Sequence, residues 1–394
     1  MNKASLFLLA ALLTAGWAFW PQPVLSHERV LTTVSYDKEI IRIVNKRCIA
    51  CHSDNNLSVP FTTYEQTRPW AKAIEEEILR RHMPPWRAVP GYGKFANDNA
   101  LTNRELQFLI AWIEGNGPKV KQQYLIVNLD QGETAEADRL TPDFTKWQLG
   151  KPDLQAPLPA STVAAGSGDE VRRVVVDLGL TTERRIRALE FKPSDRRVVR
   201  AVFFSVQETG QWLGSWTPWY GVTTLPKDTA YVVPPGSHVV AEIHYRGAEQ
   251  PVEERGTLGL YFLPGAAVSS PADIVVAARA EAPTANARRR KLSGSVTLQA
   301  DVNVLAFRPE LQPGLQSIEV SARKPDGTVQ ILLLVRDVLA EWPTPYVLAE
   351  PLRLAKDTQL TVVAYSNAEG TQAIPDLKLT MSVANGPRPV LTTQ

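Results

Sequence analysis

"RCIACHSD", residues 47–54, holds both cysteines of the 394-residue chain, Cys48 and Cys51, and places His52 directly after the second. Three chemistries use such a pair: a dithiol, half of a zinc site, or covalent attachment of a haem. A disulfide across two intervening residues closes a loop too short to constrain the unfolded chain much. Structural zinc takes four Cys or His ligands, and five histidines with no second C-x-x-C and no H-x-x-x-H do not complete that set. A redox dithiol follows a strand at a helix start, whereas "YDKEIIRIVNKRC" (36–48) puts Ile40, Ile41, Ile43 and Val44 at helical spacing ahead of the pair. C-x-x-C-H is the attachment signature of a c-type haem: two thioether bonds, with the next residue's imidazole as proximal iron ligand. The reading is one covalent haem c on Cys48 and Cys51, with His52 on the iron.

A sixth ligand must come from the flanking sequence. The chain has three methionines, Met1, Met83 and Met381, and Met83 in "RHMPPW" (81–86) is the one within reach of the haem segment. Proline disfavours helix in the residue before it, so Met-Pro-Pro is a stiff loop able to present a thioether. His82 is the alternative distal ligand, and a core-filling Met83 the plain structural one. A methionine ligand raises the reduction potential relative to two histidines and closes the iron to substrate.

The surrounding pattern is helical. Trp70, Ala73, Ile74, Ile78 and Leu79 recur at helical spacing, with Pro69 near a first turn. "LTNRELQFLIAWIEGNGP" (101–118) opens on a Thr102-x-x-Glu105 capping box and ends in Gly115, Gly117 and Pro118. Three helices, with the attachment motif ending the first and the Met loop after the second, resemble a small class I cytochrome c over residues 33–119. Before it, Lys3, an apolar run from Leu6 to Trp20 and Val24-Leu25-Ser26 read as an export signal over 1–26, or an uncleaved N-terminal membrane anchor.

Residues 120–143 read as a polar linker with at most one strand, "YLIVNL". Beyond it the period changes to two: "VRRVVVDLGL", "RRVVRAVFFSV", "HVVAEIHYRG", "SGSVTLQADVNVLAF", "VQILLLVRDV" and "QLTVVAYSN" are β-branched, alternating runs, with turn signals such as Pro325-Asp326-Gly327. The expected fold class is multidomain, α plus all-β: a helical cytochrome c domain followed by two antiparallel β-sandwiches, 144–266 and 267–388, which the resemblance given next makes jelly rolls. A hydrophobic content of 44% is that of packed domains. The formal net charge of +2 provides no global field for nucleic acid.

Order and wording resemble a bacterial family that joins a cytochrome c domain to the paired jelly-roll module of copper type II ascorbate-dependent monooxygenases, the peptidylglycine- and dopamine-hydroxylating enzymes. The resemblance rests on "FTTYEQTRPWAKAI" (61–74), "RHMPPW", "RALEFKPSDRRVV" (187–199), "LPKDTAYVVPPGSHVVAEIHY" (225–245), "LGLYF" (258–262) and "LAEPLRLAKDTQLTVVAYSN" (348–367). It implies two copper sites, held by histidines of the first sandwich and by a His-x-His pair plus a methionine of the second. This sequence departs there. Arg200 and Ala201 stand where relatives carry a histidine pair, His244 is kept but Arg246 follows it, and Glu310 and Gln312 replace a His-Met-His run. After residue 119 the chain has two histidines, His238 and His244, and one methionine. Copper cycling wants imidazole and thioether donors, so copper is not expected.

Two further features have both a plain and a functional reading. Arg288–Lys291 is a solvated loop or a dock for an acidic partner, and Trp212, Trp216, Trp219 and Tyr220 are sandwich packing or a stacking surface. The function expected is that of an exported monohaem electron-transfer protein, periplasmic or on the outer face of the inner membrane. It would serve a redox protein partner, or be a subunit of a membrane-associated respiratory or photosynthetic complex. The alternative is a copper-dependent monooxygenase with an internal haem donor.

Overall fold

A computed structural model describes residues 32–54, 56–120, 143–265, 269–282, 289–367 and 374–385. The expected export signal and the "YLIVNL" strand lie outside these residues. Among the described residues no helix is long and apolar enough to cross a membrane.

The chain is mostly β-sheet, preceded by a short helical segment. A π-helical turn, Tyr36–Ile40, runs into α1, Ile41–Arg47, which buries Ile41, Ile43 and Val44. α2, Tyr64–Thr67, starts on a capping box formed by Thr63 and Gln66, and Pro69 is accommodated in the 3-10 turn Arg68–Trp70 before α3, Ala71–Leu79. α4, Asn103–Glu114, has the capping box read from Thr102 and Glu105. Glu105 also takes an ion pair from Arg47 at 3.1 Å, which joins the start of α4 to the end of α1. Trp112, fully buried on α4, packs on Tyr36 at 6.0 Å and donates to the Pro118 carbonyl.

The β half is two jelly rolls, established by strand order. In the first, Leu154–Pro157 pairs with the last strand Thr257–Phe262, which neighbours Arg184–Lys192 and then Val222–Thr224. The facing sheet runs Asp169–Asp177, His238–Arg246, Val199–Val206, Trp212–Trp216. First pairs with last and second with penultimate, the nested arrangement of a double Greek key. The second roll repeats it along one path of eight strands: Val329–Arg336, Leu315–Arg323, Gln359–Asn367, Arg289–Thr297, Ala272–Ala280, Leu377–Asn385, Val302–Pro309, Tyr346–Leu354. Ala272–Ala278 pair in one sheet, while Arg279 and Ala280 pair in the other, so one strand bends across the corner of the sandwich. The run "SGSVTLQADVNVLAF", quoted above as one stretch, is divided between two of these strands.

Alternation sets which side chains leave the core. Along His238–Arg246, Val239, Ala241, Ile243 and Tyr245 are buried, while His238, Glu242 and His244 are on the other face. Trp212 and Trp216 are buried, the plain packing reading. Lys291 pairs with Glu281 at 2.7 Å and Arg290 donates to the Glu281 carbonyl, so the described part of the basic run begins a strand.

An arrangement not anticipated from the sequence joins the two halves. The end strands of the second roll's sheets, Val329–Arg336 and Tyr346–Leu354, would expose unpaired backbone at one edge of the sandwich. The strip after Met83 covers both. Val89 N–H donates to the Leu334 carbonyl at 2.7 Å and Arg336 N–H to that of Arg87, while Ala96 N–H donates to the Val347 carbonyl at 2.8 Å and Ala349 N–H to that of Lys94. Trp86, Ala88 and Phe95 fill the gap between the sheets and belong to the second roll's core, with Trp86 and Phe95 packed on Tyr346 at 5.2 and 5.7 Å. Gly93 makes the turn at φ +89°, where a Cβ would meet the Leu332 carbonyl at 2.7 Å. Phe95→Ala is expected to cost the second roll about 3–5 kcal/mol, read as a lowered denaturation midpoint; an unchanged midpoint would show that the strip is not part of that core.

Candidate functional site

α1 ends in the cysteine motif by a tight turn. Cys48 N–H donates to the Val44 carbonyl at 2.9 Å, and the amides of Cys51 and His52 both donate to the Cys48 carbonyl at 3.0 Å. That turn places Cys48, Cys51 and His52 on one wall of an apolar crevice of about 260 Å³. Trp70, Ile74 and Ile78 of the second helical stretch and Leu101 and Leu109 near α4 form the rest, with Met83 at the loop end. The crevice thus brings together all four residues singled out from the sequence: Cys48, Cys51, His52 and Met83.

His52 is fixed in tautomer and orientation. Its Nδ1 lies 2.8 Å from the Val59 carbonyl, which can only accept, so Nδ1 carries the proton and Nε2 keeps its lone pair. The ring stacks on Phe61 at 4.3 Å with planes 5° apart. Burial holds the imidazole below its usual pKa, against a smaller upward effect of the Val59 bond. A neutral imidazole with one nitrogen tied to a carbonyl is the form in which histidine ligates a metal. His82, the alternative distal ligand, is exposed and lies 3.4 Å from Glu77, and it is not among the residues of the crevice wall.

The two cysteines are free thiols. Burial pushes both up to about 12, with the neighbouring cysteine raising Cys48 further and Arg196 opposing the shift at Cys51. Thiols held protonated in this way are poor metal ligands and poor exchange nucleophiles. The apolar walls, one imidazole, one thioether and two adjacent thiols fit a covalently attached haem: Cys48 and Cys51 would hold it, and His52 and Met83 would supply nitrogen and sulfur to its iron.

Each side of the crevice is tied to a different jelly roll. Arg196 of the first roll donates to the carbonyls of Ala50, inside the motif, and Pro218, both at 3.0 Å. Its guanidinium lies over Phe144 and Trp216 at 4.1 and 5.2 Å, and burial lowers it to about 10. Met83 runs directly into the strip on the second roll. Sequence reading missed Arg196 and the strip alike. The arginine sits in an unremarkable charged run, "SDRRVV", and the strip's apolar residues are spaced by Pro and Gly with no period.

The crevice opens into an outer cavity of about 830 Å³ that shares Cys51, His52 and Met83 with it and is walled on its far side by Arg197, Arg200, Arg246 and Trp342. Between the rolls lies a further cleft of about 570 Å³, which His244, Glu242, Arg173 and Arg308 line. His244 packs edge-on against Phe203 at 5.4 Å, with Glu242 3.4 Å from its Nε2. His238 pairs with Glu208 at 2.9 Å. Arg200 pairs with Asp169 at 3.3 Å and lies over Trp342. Among the described residues no three His, Cys, Asp or Glu side chains gather to hold a metal ion.

No protein-family model matches the chain, and no curated protein matches its sequence. Solved structures that match include the major capsid protein P2 of bacteriophage PM2, at 11% identity over 58% of this chain and 97% of the capsid protein with a TM-score of 0.28. Another is a triple jelly-roll structure from an archaeal virus, at 8% identity over 58% of this chain and 59% of that one with a TM-score of 0.20. Likeness at this level adds nothing to what the strand order establishes.

Arg196→Met keeps the apolar contacts but leaves the Ala50 and Pro218 carbonyls without their donor, at about 1–3 kcal/mol each. Hydrogen exchange is expected to quicken across residues 48–54 and stay unchanged in the second roll. Unaltered exchange in the motif would mean that Arg196 does not hold it.

Proposed function

We propose that this chain is an exported monohaem c-type cytochrome that transfers electrons, as a mobile carrier or as a subunit of a larger respiratory or photosynthetic redox complex. The paired jelly rolls then serve docking and assembly, and the protein works in the periplasm or on the outer face of the inner membrane. The observation that carries the reading is the meeting of Cys48, Cys51, His52 and Met83 in one apolar crevice, supported by the bond of His52 Nδ1 to the Val59 carbonyl, which leaves Nε2 with its lone pair.

When bound, the haem would supply one-electron cycling between ferric and ferrous iron. The chain's own residues do the rest. Cys48 and Cys51 would anchor it, His52 would offer a neutral nitrogen and Met83 a thioether sulfur to its iron, and with both donors taken up substrate chemistry at the iron is not expected. Val59, Phe61, Ile74 and Leu109 line the crevice and exclude water, and a low-dielectric wall disfavours the more highly charged ferric state. Copper oxygenation is the weaker reading, because Arg200, Arg246 and Glu310 stand where imidazoles would be needed, and His244, packed edge-on against Phe203, has among the described residues no second histidine or methionine beside it in the cleft it lines.

Protein made in a host that attaches c-type haem is expected to contain one iron and no copper per chain, with a low-spin, methionine-ligated spectrum when reduced. Met83→Ala should keep the haem attached but lose the methionine signature and lower the reduction potential, and His52→Ala should lose most of the bound haem. Stoichiometric copper, or a Met83→Ala spectrum identical to wild type, would overturn the assignment.

A further inference from the structure

Arg196 lies against the cysteine motif with no opposite charge to answer it. One terminal nitrogen of its guanidinium makes both bonds already described, to the carbonyls of Ala50 and Pro218, and Ala50 stands between Cys48 and Cys51, two residues before His52. The group also lies over the rings of Phe144 and Trp216, while its Nε is buried without a hydrogen-bond partner. Among the described residues no carboxylate is within ion-pair distance of it. The adjacent Asp195 is forked onto Arg197 instead. The placement is a built one. Glu254, buried in the first jelly roll, accepts from Ser194 N–H at 3.1 Å, from Ser194 Oγ–H at 2.7 Å and from Asp195 N–H at 2.7 Å. The turn that launches Arg196 is therefore held by a side chain of that domain's interior.

Buried charges are ordinarily paired, because an unpaired one carries its desolvation cost uncompensated. Arginine keeps its proton, so burial does not neutralise it. Carbonyl oxygens and aromatic faces answer it with dipoles and leave the unit charge in place. A fixed positive charge beside a redox group favours the state with less positive charge of its own, which for one-electron iron is the ferrous state. We propose that Arg196 raises the reduction potential of the haem held by Cys48 and Cys51, a tuning residue that the first jelly roll supplies to the helical segment. It acts through charge and ligates nothing. The inference rests on the haem reading and gives a β domain a part in the redox chemistry.

The test is a spectroelectrochemical titration of the haem-loaded full-length protein, wild type against Arg196→Gln and Arg196→Lys. Glutamine keeps a donor for the Ala50 and Pro218 carbonyls and removes the charge, whereas lysine keeps the charge and gives up the planar fork. Arg196→Gln is expected to move the ferrous–ferric equilibrium about tenfold toward ferric, a potential lower by about 59 mV for one electron, and Arg196→Lys to keep most of the wild-type potential. The drop should persist at high ionic strength, since salt screens a buried charge little. Loosened packing alone would lower both variants alike, and hydrogen exchange over residues 48–54 would show it in each. Equal potentials in wild type and Arg196→Gln, or an equal drop in the two variants, would overturn the proposal and leave the haem reading standing. A chain whose intact mass shows no attached haem would overturn both.

Discussion

The strip from Trp86 to Asn97 closes the open edge of the second jelly roll, and the rest of the architecture depends on that closure. A sandwich with two bare end strands needs a cover, both for its backbone donors and for the apolar gap between its sheets. Here the cover belongs to the helical segment. Asn97 locks its far end, donating to the Pro345 carbonyl at 2.6 Å and accepting from Val347 N–H at 3.1 Å, while Trp219 of the first roll donates to the Asn97 carbonyl. Removing the second roll would therefore leave Trp86 and Phe95 exposed and the loop that carries Met83 without its support.

Mechanical consequences follow for the crevice. The His52 wall is held to the first roll by Arg196, and the Met83 wall is continuous with the strip on the second. A thioether reaches an iron only if its loop is fixed, since each free rotamer of methionine carries an entropy cost on ordering. Two large β domains bracketing a small helical segment provide that fixation without a large core of its own. The same bracket creates the outer cavity, because three bodies meeting at one point leave space between them. Its arginines come from the first roll's strand ends, where alternation puts Arg200 and Arg246 at the margin of the core.

Local chemistry was legible in the sequence to the extent that it is local. The turn Cys48–His52, the capping box at Thr102 and Glu105, the tolerance of Pro69 at a helix start and the period-two strands all depend on neighbours a few residues apart, and each stands where the pattern puts it. Two antiparallel sandwiches were legible through alternation, length and turn signals, while their jelly-roll form was expected only from the family resemblance and their nested pairing was not read at all. What could not be read were contacts across the chain: Ala50 with Arg196, Phe95 with Tyr346, Val89 with Leu334. Their partners lie 146 to 251 positions away, and nothing in "RAVPGYGKF" distinguishes a surface loop from a strip that completes another domain's core. The outer cavity was hidden for the same reason, since Arg197, Arg200 and Arg246 converge with Met83 only in the assembled fold.

The central claim is that Cys48 and Cys51 carry a haem covalently. Intact mass of the exported protein, measured after full denaturation in acid and organic solvent, tests it most directly. The account predicts a mass greater than that of the processed polypeptide by one haem, localised by digestion to the peptide containing Cys48, Cys51 and His52, and absent when both cysteines are replaced by serine. A bare polypeptide mass from cells that attach haem to other c-type cytochromes would contradict it.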